Sequence, residues 1–316
     1  MLATAGPPPA AFENFAVEAK YDGQRGLAIV EAGTARLLSR NGADITHTFP
    51  EIAAALPSAL PHRQIVLDGE IVALGPDGAP SFSCLQQRWP QNRRPTPALL
   101  RRCPVQFFVF DVLAVDGKTL MHLPFVDRRA ILDQLRETSR DSRIRITSSW
   151  QSCDPAIVLA VAAEGNLEGI VNKRLDSPYM PSTRSRDWIK TPLRRRSEFV
   201  VCGWLPGRGV NRHSVGAVVV GGCDSDGRLT YCGAVSAGLS ARIRRQLIDA
   251  LAPLTRDRCP FVDDAPDVLG PGVHWVDPVL VADVEYREFR GGLRHASWKG
   301  LRADGFHAEA VILPAC

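Results

Sequence analysis

The sequence has eight cysteines, from Cys84 to Cys316, but no Cys-x-x-Cys pair, and no two histidines stand at zinc-binding spacing. A structural zinc site is therefore not expected, and a disulfide framework is not expected in a chain of this length. Met1 to Ala11 carries neither a basic region nor an apolar core, which excludes a secretory leader there. No apolar run is long enough to span a bilayer. Internal repeats and low-complexity segments are absent too, which argues against a solenoid or a disordered tail. The formal net charge is only +4 and the pI about 8.7, so charge alone does not point to nucleic acid. These absences together predict a reduced, cytoplasmic protein with no membrane partner.

What is present suits a folded chain. The 316 residues are 45% hydrophobic, enough for one large or two medium domains. The arginines cluster as Arg93-Arg94, Arg101-Arg102, Arg128-Arg129, Arg194-Arg195-Arg196 and Arg244-Arg245. Each cluster is either a solvated surface or a group of phosphate contacts. Alternation predicts a strand over Phe15 to Ala19, then strands over Gly26 to Glu31 and Ala35 to Ser39 with Gly33 in the turn. A helix is expected at Pro50 to Leu60, two strand segments around Asp68-Gly69, and a helix capped by Ser81. Gln87 to Pro104 reads as an exposed loop, Val105 to Leu113 as a strand and Phe125 to Glu137 as a helix. Asp154-Pro155 starts another helix. Composition changes at Pro192 to Ser197, which reads as a linker. Beyond it, short strands and one helix, Ser240 to Leu251, fit a small barrel of the oligonucleotide-binding (OB) type.

The stretch Glu18-Ala19-Lys20-Tyr21-Asp22-Gly23-Gln24-Arg25 is the most chemically loaded. A strand ending at Lys20 would deliver that lysine into a pocket. A lysine becomes nucleophilic when neighbouring cations or desolvation lower its pKa. Gly23, without a Cβ, allows close approach of a bulky ligand. Arg25 can make a charge-assisted bond to phosphate. The stretch thus reads as a lysine poised to attack phosphorus, the alternative being a surface lysine beside an Asp-Gly turn.

Further stretches join it in order: Ser39-Arg40-Asn41-Gly42, Leu67-Asp68-Gly69-Glu70, Phe107-Phe108-Val109-Phe110-Asp111, Glu168-Gly169-Ile170-Val171-Asn172-Lys173 and Trp188-Ile189-Lys190. With Ser81-Phe82-Ser83, Leu85-Gln86 and Ser297-Trp298-Lys299-Gly300-Leu301-Arg302, the chain resembles the ATP-dependent DNA ligases. Within them it is similar to the ligase domain of the bacterial non-homologous end-joining DNA ligases, from Met1 to about Asp304. The resemblance implies an α+β fold: a nucleotidyltransferase (adenylation) domain of antiparallel sheets with flanking helices at 1–193, a linker at 194–197 and an OB-fold β-barrel at 198–316.

The same resemblance implies the chemistry and the site. Lys20 would attack the α-phosphorus of ATP, AMP would pass to the 5′-phosphate of a broken strand, and the 3′-hydroxyl would displace it. Glu18 would read the adenine amino group, Phe110 would stack on the base and Glu70 would hold the ribose. Arg25 and Arg40 would hold the nucleotide and the nick phosphate, with Arg184 and Lys190 beneath the phosphates. Glu168 would bind Mg²⁺ or Mn²⁺. Asp22, Lys173, Arg302 and Asp304 match the same motifs in lesser roles. Two departures stand out: Pro192 occupies a position where the family usually has lysine, and Gly305 follows Asp304 where lysine is common. The implied partners are nicked or broken double-stranded DNA, a DNA-end-binding protein, and separate polymerase or phosphoesterase subunits, around a monomer at the nucleoid. The alternatives are another lysine nucleotidyltransferase, such as an RNA ligase or a capping guanylyltransferase, or a nick-binding module that seals poorly.

Overall fold

The computed structural model describes residues 1–60, 64–75, 78–88, 94–138, 141–165, 167–263, 267–270, 272–289, 291–302 and 311–314. The chain divides into two compact units, Met1–Leu193 and Arg194–Cys316. No described helix is long and apolar enough to cross a membrane.

The first unit runs β1 (Leu2–Ala5), β2 (Phe15–Lys20), β3 (Gln24–Glu31), β4 (Thr34–Ser39), α1 (Pro50–Ala59), β5 (Gln64–Ala73), α2 (Phe82–Gln86), α3 (Pro97–Arg102) and β6 (Val105–Val115). It continues through β7 (Lys118–Thr119), α4 (Phe125–Thr138), β8 (Ile144–Ile146), β9 (Ser149–Gln151), α5 (Pro155–Glu164), β10 (Gly169–Arg174) and β11 (Arg184–Pro192). These strands make two sheets. The first has the order β1-β11-β10-β2-β9 and the second β4-β3-β5-β6-β7, with β8 also on β6. Pairing is antiparallel except for β1 on β11 and β8 on β6.

Strand alternation sorts the side chains. On β3, Ala28 and Val30 face a core shared with Ile52 and Leu56 of α1 and Leu132 and Leu135 of α4. Arg25 and Leu27 consequently face the other way. On β2, Val17 packs with Ile170 of β10 and with Val158 and Ala162 of α5. That leaves Glu18 and Lys20 on the opposite face. The helix starts follow local rules: Pro50 and Pro155 lie in first turns, while Ser81 and Asp154 accept from Cys84 and Ala156 amides.

The second unit is an OB-fold barrel built on the long strand β12 (Arg195–Pro206), with β13 (Val215–Cys223), β14 (Leu229–Val235), α6 (Ala241–Leu251), β15 (Thr255–Arg256), β16 (His274–Val276) and β17 (Val281–Tyr286). β12 pairs with β13, β16 and β17, and β17 pairs in turn with Ser297–Leu301. Phe199, Val201, Val218, Val284 and Trp298 fill its core, capped by Leu247 and Leu251 of α6.

The structure differs from expectation in four places. Gln64–Ala73 is one strand, not two segments; the irregularity is a register shift against β6 at Asp68/Gly69. A Cβ on Gly69 would stand 2.5 Å from the Phe107 ring, so only glycine fits that shift. The Gln87 to Pro104 stretch contains α3, capped by Thr96 and started by Pro97, and its Arg88 is buried against Glu51 and over the Phe49 ring. Arg195 to Ser197, expected as linker, open β12 and pair with Tyr286 to Val284, because ladder bonds satisfy their backbone. Arg128-Arg129 is neither solvated nor free for phosphate: both side chains are buried on α4.

Arg128 makes a two-pronged bond to Asp111, Nε to Oδ1 at 2.8 Å and Nη2 to Oδ2 at 3.0 Å, and its Nη1 donates to the Leu123 carbonyl at 2.6 Å. Removing one partner strands a buried charge. Asp111→Ala should therefore cost about 3–5 kcal/mol, read as an earlier urea transition of the full chain, whereas an unchanged midpoint would mean that the pair is energetically idle.

Candidate functional site

Facing strands of the two sheets in the first unit enclose a cavity of about 830 Å³. Glu18, Lys20, Arg25, Arg40, Glu70, Phe110, Lys173, Arg184 and Lys190 all line it. Nine of the residues singled out in the sequence, spread over more than 170 positions, thus converge.

Lys20 is the last residue of β2, opposite Gly169 in the β2–β10 ladder. Its Nζ pairs directly with the Glu168 carboxylate, and the Glu168 amide donates to the Lys20 carbonyl at 2.9 Å. Gly169 has φ +139°, and a Cβ there would lie 2.2 Å from the Thr191 carbonyl oxygen. Glycine is thus required where β10 begins, and Glu168 is turned onto Lys20 by that geometry. Gly23 has a similar reason. A Cβ would meet the Ile71 carbonyl oxygen at 2.2 Å, so it admits β5, not only a ligand as the sequence suggested.

Arg25 and Lys173 each have a carboxylate. Arg25 forks onto Asp68, with Nε to Oδ1 at 2.9 Å and Nη2 to Oδ2 at 2.6 Å, and Tyr179 also donates to Asp68 at 2.8 Å. Burial opposes the charge on Arg25, but the Asp68 charge and bonds outweigh it and raise its pKa. The Arg25 guanidinium lies 5.5 Å from the Phe110 ring centre. Lys173 is buried, 2.8 Å from Glu18 Oε2 and 2.8 Å from the Phe110 carbonyl, with the Phe110 and Trp188 rings at 4.8 and 4.6 Å. Burial lowers its pKa, and Glu18 opposes the shift.

Glu70 stands opposite Arg25 on β5. Desolvation is the main cause that pushes its carboxyl up to about 8; Lys20 opposes the shift and Glu168 adds to it. Lys190, on β11, has its pKa lowered by burial and then by Lys20, with Arg184 and Arg40 contributing. Among the described residues Arg40, Arg184 and Lys190 have no carboxylate partner, so one end of the cavity carries excess positive charge. Arg184 is steered there by donating to the Ala3 carbonyl at 2.6 Å. Such an end suits a polyanion such as a triphosphate.

The other predicted residues lie elsewhere. Asp22 is half-buried in the turn after Lys20 and is not on the cavity wall. Arg302 belongs to the second unit, where it bonds Glu198 Oε1 at 2.7 Å. Asp304 lies outside the described residues. Pro192 pairs with Gly169 at the end of β11 and does not line the cavity. Arg194 donates to the His295 carbonyl at 3.3 Å within the second unit, and Arg196 is paired with Asp283. Sequence reasoning missed Tyr179, which sits in an irregular segment without a pattern to mark it, and Arg129, which looked like half of a surface pair. It also missed β1 as a wall, since Leu2 and Ala3 line the cavity.

Comparison with known proteins agrees with this geometry. Residues 3–191 match the family model described as ATP dependent DNA ligase domain, and residues 211–305 match the ATP dependent DNA ligase C terminal region. The multifunctional non-homologous end joining protein LigD of Mycobacterium bovis is 36% identical over 299 residues, covering 94% of this chain and 37% of the relative. LigD of Pseudomonas aeruginosa is 35% identical, covering 92% of this chain and 34% of the relative. The chain therefore spans about a third of the length of these relatives. The crystal structure of the ligase domain of M. tuberculosis LigD superimposes with a TM-score of 0.55 at 34% identity, over 99% of this chain and 97% of that one. Asp68→Asn keeps the shape of the Arg25 clamp but removes its charge. Affinity for ATP, measured as thermal stabilisation by added nucleotide, should fall about tenfold or more, as expected for loss of a charged hydrogen-bonded pair; an unchanged affinity would leave Arg25 without a role in the cavity.

Proposed function

The chain belongs to the ATP-dependent DNA ligases, and we propose that it seals breaks in duplex DNA through a lysyl-AMP intermediate on Lys20. The observation that carries the reading is Lys20 itself, at a strand end inside a cavity with a carboxylate on one side and excess cationic charge on the other. In the first step Lys20 Nζ gives up a proton, forms a bond to the α-phosphorus of ATP as the bond to pyrophosphate breaks, and sheds a second proton to solvent to become the phosphoramidate. AMP then passes to the 5′-phosphate at the break, and the 3′-hydroxyl attacks that phosphate, expelling AMP. Every step builds negative charge at phosphorus, so positioning and charge neutralisation supply the catalysis.

The roles follow the walls of the cavity. Phe110 offers a ring face to the base, a contact worth about 1–3 kcal/mol, and Glu18 accepts from the adenine amino group. Glu70 holds the ribose; Arg25, Arg40, Arg184 and Lys190 hold phosphates; Lys173 holds Glu18 in place. A divalent cation, Mg²⁺ or Mn²⁺, fits the donor set. Glu168 and Glu70 are hard oxygen donors near one lysine, and their mutual repulsion contributes to the raised Glu70 pKa. No group of three or more such ligands exists among the described residues, so phosphate and water oxygens would complete the shell. When bound, the cation supplies charge to the triphosphate. Arg302 and Asp304 keep lesser roles in the proposal, Asp304 lying outside the described residues.

The relatives' names place them in non-homologous end joining. We extend that pathway to this chain, acting at the nucleoid. Its partners are then broken DNA, a DNA-end-binding protein, and polymerase and phosphoesterase activities. An adenylation domain at 1–193 is part of the same proposal, with the barrel taken from Arg194, since Arg195–Ser197 belong to β12. Glu18, which suits an amino group and not a guanine carbonyl, disfavours a guanylyltransferase.

Lys20→Ala should abolish acid-labile, protein-bound label from α-labelled ATP while leaving the urea midpoint unchanged; wild-type levels of label on the variant would refute the assignment. Glu168→Ala should slow labelling by about tenfold or more, the scale of losing a charged contact, and excess Mn²⁺ should recover part of it. Identical metal titrations for variant and wild type would remove Glu168 from metal binding.

A further inference from the structure

Seven of the eight cysteines lie among the described residues, all as free thiols, and two of them meet. Cys84 is half-buried in α2, and Cys103 follows α3 with no exposed surface. Each side chain reaches the other residue's peptide. Cys103 Sγ donates to the Cys84 carbonyl at 2.8 Å, and Cys84 Sγ stands 3.8 Å from the Arg102 carbonyl, which is joined to the Cys103 nitrogen. The two thiols also hydrogen-bond each other. A disulfide needs two side chains that cross at short range from closely spaced backbones, and this pair is arranged so.

The surroundings give the two sulfurs different roles. Burial pushes the Cys103 thiol up to about 12; the bond to Cys84 and that sulfur's charge add to the shift, the Arg88 guanidinium opposes it and Glu51 reinforces it. Cys103 is thus kept as the neutral thiol inside the core of the first unit. Cys84 packs against the same core but keeps one side open to solvent, so a dissolved oxidant meets it first. Two residues before Cys84 on α2 is Phe82, on the wall of the nucleotide cavity. Cys103 stands two residues before β6, which carries Phe110 on the same wall.

We propose that Cys84 and Cys103 are a reversible oxidation site, which closes to a disulfide within the folded chain when a peroxide reaches Cys84. In the first step the Cys84 thiol loses its proton and its sulfur attacks one oxygen of hydrogen peroxide. The O–O bond breaks, leaving a sulfenic acid and releasing hydroxide, which takes up that proton. In the second step the Cys103 sulfur attacks the Cys84 sulfur. The S–S bond forms, the S–O bond breaks, and the Cys103 proton departs with the hydroxyl as water. Two thiols lose two electrons in all, and one peroxide becomes two waters. A small thiol reverses the bond by exchange, so the pair is transient where reductants are present. The bond joins residues 19 positions apart and ties α2 to the root of β6, which restricts the unfolded chain and stabilises the fold.

The test treats the full chain with hydrogen peroxide, blocks the remaining thiols with N-ethylmaleimide and reads the peptides by mass spectrometry without reduction. The expected product is a linked Cys84–Cys103 pair, two hydrogens lighter than the separate thiol peptides and lost on adding dithiothreitol. Cys153, also half-buried, is the internal comparison and should not be joined to either. The oxidised wild type should unfold at a higher urea concentration than the reduced one, and Cys84→Ser should show no such rise. If Cys84 and Cys103 both take the blocking group at peroxide doses that oxidise Cys153, they are inert packing thiols and the proposal is overturned. A bond that forms only in urea, or that lowers the midpoint, overturns it as well, because the contact is then not preformed. Wild type alone decides whether the bond forms, so the outcome does not depend on a variant that folds. Labelling from ATP plays no part, and the result is independent of the nucleotide reading.

Discussion

Burying a set of cations deeply enough to bind a triphosphate is the constraint on which the first unit depends. An isolated charge cannot be taken out of water without a partner. Here Arg25 is held by Asp68, Lys173 by Glu18, Lys20 by Glu168 and Arg128 by Asp111. The four carboxylates come from β5, β2, the residue before β10, and β6. Three of the pairs join neighbouring strands of one sheet, Arg25–Asp68 across β3 and β5 and Lys173–Glu18 and Lys20–Glu168 across β2 and β10, while Arg128–Asp111 ties α4 to β6. Lys173 also reaches the second sheet by donating to the Phe110 carbonyl. The cavity is also prepared for an anion: among the described residues, Arg40, Arg184 and Lys190 line it without a carboxylate partner.

Glycines decide how closely these strands approach. Gly23, Gly69 and Gly169 each stand where a Cβ would lie less than 3 Å from a neighbouring backbone atom. Two of them flank the lysine–carboxylate pair in space, Gly23 after Lys20 and Gly169 after Glu168. The motif glycines therefore serve strand packing at least as much as ligand access, and the packing is what brings Glu168 onto Lys20.

Much of this was legible beforehand. Period-two alternation marked β2, an apolar run marked β6, and Ser81 and Asp154-Pro155 marked helix starts, because caps and strand character are local properties of a few neighbouring residues. The ordered motifs located eight of the residues on the cavity wall, and the resemblance they carry added Arg184. The failures have a common cause. Arg128-Arg129 and Arg88 looked like solvated charge, since nothing near them in sequence announces the carboxylates of Asp111, Asp133 and Glu51 that allow their burial. Arg195 to Ser197 looked like a linker, since their ladder partners lie almost ninety residues away at Tyr286 to Val284.

The sequence by itself marked Lys20 as the candidate nucleophile, the order of the motifs and the split into two units, because each is written in residue type and short-range pattern. Only the tertiary structure decided which carboxylate serves which cation, that Glu18 keeps one oxygen unbonded beside Arg129, and that Tyr179 joins the Arg25 clamp. Those are contacts between residues 17 to 155 positions apart. Ion pairing reads distance in space, and no spacing along a chain encodes it.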